Sequence, residues 1–384
     1  MLNWVEINQT ALTHNIKQFQ NLIKQSAKSG FASAENEKRL CLVIKANAYG
    51  HGLTGVGKII GKIDQKIWLG VNSVNEAEIL RENGIKNPIL ILGYVLLDSL
   101  KKAIDLNVCL TVYNLETIRA LGKLKKDSIV HLKIETGTGR QGVLLSEMAK
   151  FIEEVRKYPQ IKLDGLSTHF ANIEDTTNHD YAQKQLENFK KAVLLLEVAG
   201  FKNLIKHTAC TAAAILFPET HFDMLRVGIG LYGLWPSKET FISAGQKDKK
   251  FILKPVLSWK TKVAQLKKLS KGSYISYGCT ERLIKNSTVA ILPVGYSDGY
   301  DRKLSSVGNV LIHGQRAKVL GRVCMNIIVV DVSHIKNIKI EDEAVLLGKQ
   351  GKEEITAEEM AGEIRTINYE VVSRINPLLP RIYV

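Results

Sequence analysis

The chain has 384 residues, 45% hydrophobic and 24% charged, the composition of a globular protein of two or three domains and not of a disordered or collagen-like chain. No apolar run approaches the roughly 18 residues that a membrane span needs. The opening MLNWVEINQT has neither the basic nor the apolar region of a secretory signal, which predicts a soluble cytoplasmic protein.

The formal net charge of +15 is spread along helical faces such as LGKLKKDS and ENFKKAV. Without a basic tail or an RNP-like aromatic motif, it reads as a solvated basic surface and not as a nucleic-acid footprint. Such a surface still favours an anionic ligand. Five cysteines (Cys41, Cys109, Cys210, Cys279 and Cys324) are scattered without a CxxC pair, the pattern of reduced buried thiols.

In chain order, residues 1–235 alternate short β-branched runs with amphipathic segments. The strand-like runs are 40–44, 67–71, 88–92, 109–112, 129–134, 163–168, 204–208 and 224–231. Between them, Ala182, Leu186, Phe189, Val193 and Leu196 step by one helical face, as do Leu12, Ile16, Phe19 and Ile23. Eight such repeats predict an α/β fold, a (β/α)₈ TIM-like barrel over residues 1–240. The helices expected after Gly52 and after Thr211 are short. Residues 236–251 are polar and aperiodic, a predicted linker. Beyond them LSWKTKVAQL, STVAILPVGY, NVLIHG, RAKVLGRVCMNIIVVDVS and EAVLLG predict a mostly β domain over 241–384, broken by one helix in ITAEEMAGEIRTI.

Chemistry in such a barrel sits where the strands end. The first strand runs directly into Lys45, whose amine, flanked by small residues, is a candidate Schiff-base nucleophile if desolvated. The alternative is a lysine snorkelling at the rim. The fifth strand leads through Lys133 into Glu135-Thr136-Gly137-Thr138-Gly139-Arg140, where glycines admit close backbone approach and Arg140 can reach an anionic oxygen. The sixth ends at His169 and the seventh at His207, each of which taken alone reads as structural. The eighth gives Arg226-Val227-Gly228-Ile229-Gly230, small backbone suited to a phosphate cradle. No His pair or Cys pair has metal-ligand spacing, so no metal is expected. A lysine, arginines at two strand ends and a phosphate loop suit pyridoxal phosphate.

The run Val43-Ile44-Lys45-Ala46-Asn47-Ala48-Tyr49-Gly50-His51-Gly52 resembles the cofactor-lysine motif of bacterial alanine racemases. The resemblance continues through Thr136-Gly137…Gly139-Arg140, Thr168-His169-Phe170, Arg226-Val227-Gly228-Ile229, Tyr277-Gly278, Gly295-Tyr296-Ser297-Asp298-Gly299, Cys324-Met325, Asn368-Tyr369-Glu370 and Leu379-Pro380-Arg381. It implies a pyridoxal 5′-phosphate-dependent amino-acid racemase that supplies D-alanine for peptidoglycan. It also implies a homodimer in which the β domain of one subunit completes the site of the other.

Carried over residue by residue, Lys45 matches the lysine that bears the cofactor and acts as base on one face of the substrate. Tyr277 matches the opposite base, with His169 expected to bond it. Arg226 matches the partner of the pyridine nitrogen. Tyr49, Thr211, Gly228, Ile229 and Tyr369 match the phosphate positions. Arg140 matches the contact to the ring hydroxyl, and Lys133 a lysine that some members carry carbamylated. The backbone at Met325 matches the substrate-carboxylate contact, while Tyr296 and Arg302 match the access channel.

Three positions depart from the family pattern. Cys210 replaces an Asn, Asn326 replaces an Asp, and Glu281 stands where a second aromatic is usual. They bear on substrate breadth and cofactor affinity, not on reaction type. A related amino-acid decarboxylase shares the barrel and the Lys-Ala-Asn start, but not Tyr277-Gly278 or Arg226. A non-catalytic cofactor-binding protein would resemble the barrel alone. A racemase of broader specificity shares every motif.

Overall fold

A computed structural model describes residues 1–28 and 38–384. Its contacts divide the described chain into two units. The larger, Leu12–Ala48 with Leu53–Lys254, is built on eight parallel strands. With Asn3–Ile7 numbered β1, these are β2 (Arg39–Val43), β3 (Trp68–Val71), β4 (Ile89–Ile91), β5 (Cys109–Val112), β6 (Ser128–Lys133), β7 (Ile161–Ser167), β8 (Ile205–His207) and β9 (Met224–Val227).

Each strand from β2 to β7 pairs with the next, and β9 returns to pair with β2. Between β8 and β9, Asp223 N–H donates to Lys206 O at 2.9 Å and Arg226 N–H to Ala209 O at 3.0 Å. The parallel sheet is therefore nearly closed, as the eight repeats predict. Its strands are buried on both faces, which explains why they read as continuous apolar runs and not as alternating ones.

Register slips between Val130 and His131 in β6, where the His131 ring turns into the interior. A Cβ on Gly165, opposite in β7, would meet that ring at 2.7 Å, so only glycine leaves room for the histidine. The helix Gln9–Lys28 buries Leu12, Ile16, Phe19 and Ile23, the face its spacing predicts. Each such side chain contributes about 1.5–3 kcal/mol. The helix Asp180–Val198 buries Ala182, Leu186, Phe189 and Leu196, although Ala192 and Gln185 lie deeper than Val193. The helix after Thr211 is short, as expected (Thr211–Leu216), whereas the one after Gly52 runs 11 residues, Leu53–Ile63.

The predicted linker is a correction. Residues 238–247 form the helix Lys238–Lys247, started by Ser237, whose hydroxyl accepts from Thr240 N–H at 3.0 Å. Its buried side is only Thr240 and Ala244, too narrow to register as periodic hydrophobicity. The expectation of uniformly buried thiols is also corrected. All five cysteines are free, but only Cys41 and Cys109 are buried, Cys210 and Cys324 are partly exposed, and Cys279 is exposed.

The second unit comprises Met1–Ala11, Tyr49–Gly52 and Pro255–Val384, so its membership differs from the expected 241–384. The reason is backbone pairing. β1 pairs antiparallel with β10 (Leu257–Lys262) and parallel with Arg381–Tyr383, within a ten-stranded sheet. The guanidinium of Arg381 donates twice to Gly50 O, at 3.0 and 3.1 Å, and Tyr383 Oη donates to His51 O. A Cβ on Gly50, at φ +85°, would lie 2.0 Å from Val372 O, so this position excludes any side chain. The predicted helix is present as Ala357–Ile364. Among the described residues no helix is long and apolar enough to cross a membrane.

Candidate active site

The mouth of the barrel unit is assembled from strand ends. β2 delivers Lys45, half-buried, and the chain then makes a left-handed turn through Ala46, Asn47, Ala48 and Tyr49, all at φ between 52 and 54°. Left-handed backbone costs about 1–2 kcal/mol per non-glycine residue. It persists only where surrounding groups fix it. Ala48 N–H donates to Ile44 O at 2.8 Å, Leu53 N–H to Asn47 Oδ1 at 2.9 Å, and Ala46 N–H to Glu76 Oε1 at 2.7 Å. Burial lowers the Lys45 pKa, and the cation of Arg140 adds to the effect, against the opposing charge of Glu76. This amine is a desolvated one, not a snorkelling one.

Strand β6 delivers Lys133 and then a loop folded by Glu135. That carboxylate accepts from the backbone N–H of Gly137, Thr138 and Arg140 at 2.5, 2.6 and 2.9 Å. Its charge is thus committed to backbone, and no described carboxylate lies within ion-pair distance of the Arg140 guanidinium. Lys133 Nζ donates to Gln141 Oε1 at 3.3 Å, and burial with Arg226 and Arg140 lowers its pKa to about 8. An amine so close to neutrality has the unprotonated fraction that carbamylation requires.

Arg226, at the end of β9, is buried. Its Nη1 donates to His207 Nδ1 at 2.6 Å and to His207 O at 2.7 Å, and its Nη2 to Thr168 O at 2.6 Å and Thr208 O at 3.1 Å. An arginine carries five N–H donors. Four are used here, and the Nε–H has no hydrogen-bond partner among the described residues. Because arginine can only donate, His207 carries its proton on Nε2 and points it at His131 Nδ1, 2.8 Å away. His131 Nε2 then faces Asp164 Oδ2 at 3.9 Å. The chain of groups has one polarity throughout. His207, which read as merely structural from sequence, is with His131 the support on which Arg226 rests.

His169, on the loop after β7, is held neutral, its pKa lowered to about 3 by burial and then by Arg226, Arg140, Lys133 and Lys45. Four cations therefore act on this one imidazole. On the far side, Thr211 Oγ1 accepts from Gly228 N–H at 3.2 Å and Gly230 N–H at 3.4 Å. A Cβ on Gly230 would meet Thr211 Cγ2 at 2.6 Å, so glycine lets this backbone close on the hydroxyl. Ile229 is buried beside them.

In the second unit Tyr49 and Tyr369 lie together, ring centroids 6.1 Å apart. Tyr277 is 72% exposed and sits on the one-turn helix Tyr277–Cys279, next to Ser276 at φ +62°. Met325 is also exposed, and its carbonyl accepts from Ser297 N–H and Oγ–H. Among the described residues no cluster of three metal-ligating side chains occurs.

Sequence profiles of the alanine racemase N-terminal and C-terminal domains match residues 7–236 and 256–383. The chain belongs to the alanine racemase family. The alanine racemase of Leptospira interrogans is 38% identical over 386 residues, covering all of this chain and 96% of the relative. That of Carboxydothermus hydrogenoformans is 39% identical with 99% of each chain covered. Among solved structures, alanine racemase from Clostridium difficile 630 superposes with a TM-score of 0.89 at 34% identity, covering all of this chain and 96% of that one.

The family departures have local explanations. Cys210 precedes the helix Thr211–Leu216 and contributes no side-chain cap, while the hydroxyl of Thr211 is turned to the N–H groups of Gly228 and Gly230. Asn326 Nδ2 donates to Ser297 Oγ at 2.7 Å, which in turn donates to Met325 O, so the amide braces the Met325 backbone without a charge. Glu281 accepts from Ser306 Oγ–H at 2.7 Å, a polar tie where an aromatic would pack. Sequence reading missed Glu76, the backbone role of Glu135, Gln141 and the His207–His131 pair. An acid at the third position of a helix after a serine was a readable signal only for Glu76.

The buried histidines set a pH dependence. Burial lowers the pKa of His169 to about 3 and of His221 to about 4, and drives that of His207 well below 6.5. An unfolded histidine takes its proton near 6.5, so below that pH the unfolded chain binds more protons. Stability is then lost as pH falls, by up to about 1.4 kcal/mol per histidine per unit until the folded pKa is reached. Urea unfolding should give a lower midpoint at mildly acidic pH than at neutral pH. Equal midpoints would contradict the neutral assignment.

Proposed function

We propose that this protein is a pyridoxal 5′-phosphate-dependent alanine racemase that interconverts L- and D-alanine in the cytoplasm and supplies D-alanine for peptidoglycan. The observation that carries the reading is Lys45, a desolvated amine at the end of β2 whose pKa is lowered beside Arg140.

The residues present fit the cofactor by their chemistry. Lys45 would bind it covalently, and the Arg226 Nε–H is the donor left for its ring nitrogen. Thr211, Gly228 and Ile229, with Tyr49 and Tyr369 as the family resemblance assigns them, would hold its phosphate. Arg140 would take the ring hydroxyl, with His169 neutral nearby. Bound pyridoxal phosphate supplies an electron sink that acidifies the α-proton of an amino acid.

The chain's own groups then divide the work. Arg226 stays protonated, so it can donate to a ring nitrogen without giving up its proton, which restrains the sink and favours simple proton exchange. Burial lowers the pKa of Lys45, which makes its amine easier to deprotonate than that of a solvated lysine. Tyr277 is the proposed base on the opposite substrate face, contributed by the second subunit of a homodimer. Met325 backbone N–H and Arg140 are the proposed anchors of the substrate carboxylate. Lys133, with its pKa near 8, is the proposed site of carbamylation.

Borohydride reduction followed by peptide mapping should find the cofactor on Lys45. A panel of L-amino acids analysed by chiral chromatography should yield D-alanine foremost. Cofactor fixed on another lysine would refute the assignment of Lys45, and release of carbon dioxide in place of D-product would favour decarboxylation.

A further inference from the structure

We propose that Glu76 is a positioning residue for Lys45: its two carboxylate oxygens clamp the left-handed turn that follows the lysine onto the end of the neighbouring strand. The proposal rests on the reading of Lys45 as the cofactor-bearing lysine. Glu76 Oε1 accepts from Ala46 N–H at 2.7 Å and Glu76 Oε2 from Asn72 N–H at 2.6 Å. Ala46 is the residue after Lys45, and Asn72 is the residue after β3, the strand beside β2. One carboxylate therefore ties two adjacent strand ends together at the lysine.

The turn needs such a tie. Four consecutive non-glycine residues, Ala46 to Tyr49, hold φ values of 52 to 54° that L-residues avoid. The first of them is where the strand direction changes, so its N–H governs where Lys45 sits. A plain capping function does not account for the geometry. In the reciprocal capping box the third helical residue reaches back to the N–H of the cap residue, here Ser73. Glu76 instead passes Ser73 and spends both oxygens on groups outside its own helix, Val74–Glu82, while the Ser73 hydroxyl caps Glu76 N–H unaided. The carboxylate also stands as the counter-charge to a lysine otherwise faced by Arg140.

The two roles, backbone clamp and counter-charge, separate experimentally in the purified full-length protein with its bound cofactor. Glu76→Gln keeps the size but has one acceptor oxygen for two N–H donors. It should speed hydroxylamine-driven cofactor release about tenfold, the scale of one hydrogen bond to a charged group. It should also lower the pH at which the bound cofactor's absorbance titrates, because a nearby negative charge is gone. Ser73→Ala removes the helix cap alone and should leave both readouts at wild-type values. Adding Ala46→Gly to Glu76→Gln relieves the left-handed strain and should return the release rate toward wild type while the titration stays displaced.

An unperturbed Glu76→Gln protein, a Ser73→Ala protein that matches it, or a double variant without recovery would each overturn the proposal. If wild-type Lys45 carries no cofactor, the reading beneath it falls as well. A loaded wild type beside an unaffected Glu76→Gln removes only the role of Glu76.

Discussion

Chains carrying Lys45→Ala and chains carrying Tyr277→Phe, each inactive alone, should recover activity when they are mixed and allowed to exchange subunits. Lys45 belongs to the barrel unit and Tyr277 to the β-rich unit. The proposed dimer pairs the lysine of one subunit with the tyrosine of the other. In a heterodimer of the two variants one site then holds both native groups and the other holds neither. Random exchange in equal amounts makes half of the dimers mixed, each with one competent site of two, so about a quarter of wild-type activity is expected from two-fold symmetry. The homodimers should each fall by orders of magnitude, since a lost nucleophile or positioned base is not replaced by its neighbours. Activity that stays at the homodimer level, with heterodimers shown to be present, would mean that each site is built within one chain.

What could be read in advance followed from how each element signals itself. Barrel strands buried on both faces are short apolar runs, and all eight were visible as such. Lys45 and Arg226 stood out because a charged residue at the end of such a run needs a reason. The helix Lys238–Lys247 had no comparable signal, with only Thr240 and Ala244 turned inward. The pairing of β1 with β10 joins residues about 250 positions apart and leaves no local trace in NWVEI. The left-handed turn from Ala46 to Tyr49 contains no glycine, so nothing in its composition announces a positive φ. Glu76 and Glu135 act on backbone N–H groups, partners that every residue offers and no pattern marks. The His207–His131 pair is visible only once β6 and β8, on either side of β7, bring their buried rings together.

In heavy water, Tyr277→Phe should still wash deuterium into D-alanine while exchange into L-alanine falls by about 10²-fold or more, the usual scale for losing a positioned base. A proton can be returned to either face of a planar α-carbon, but one side chain cannot serve both faces without moving several ångströms. Two groups are therefore needed, and the family resemblance assigns Lys45 to the α-proton of the D-enantiomer and Tyr277 to that of the L-enantiomer. Phenylalanine at 277 removes the phenolic oxygen and keeps the ring. The Lys45 side, held by the turn at Ala46–Tyr49, is untouched, and burial still lowers the pKa of its amine. Racemisation should fall in both directions, because each direction uses both groups in turn. Exchange should fall on one side only, and that asymmetry separates a base from a packing residue. Equal loss of exchange from both enantiomers would leave Tyr277 a structural hydroxyl and return both proton transfers to Lys45.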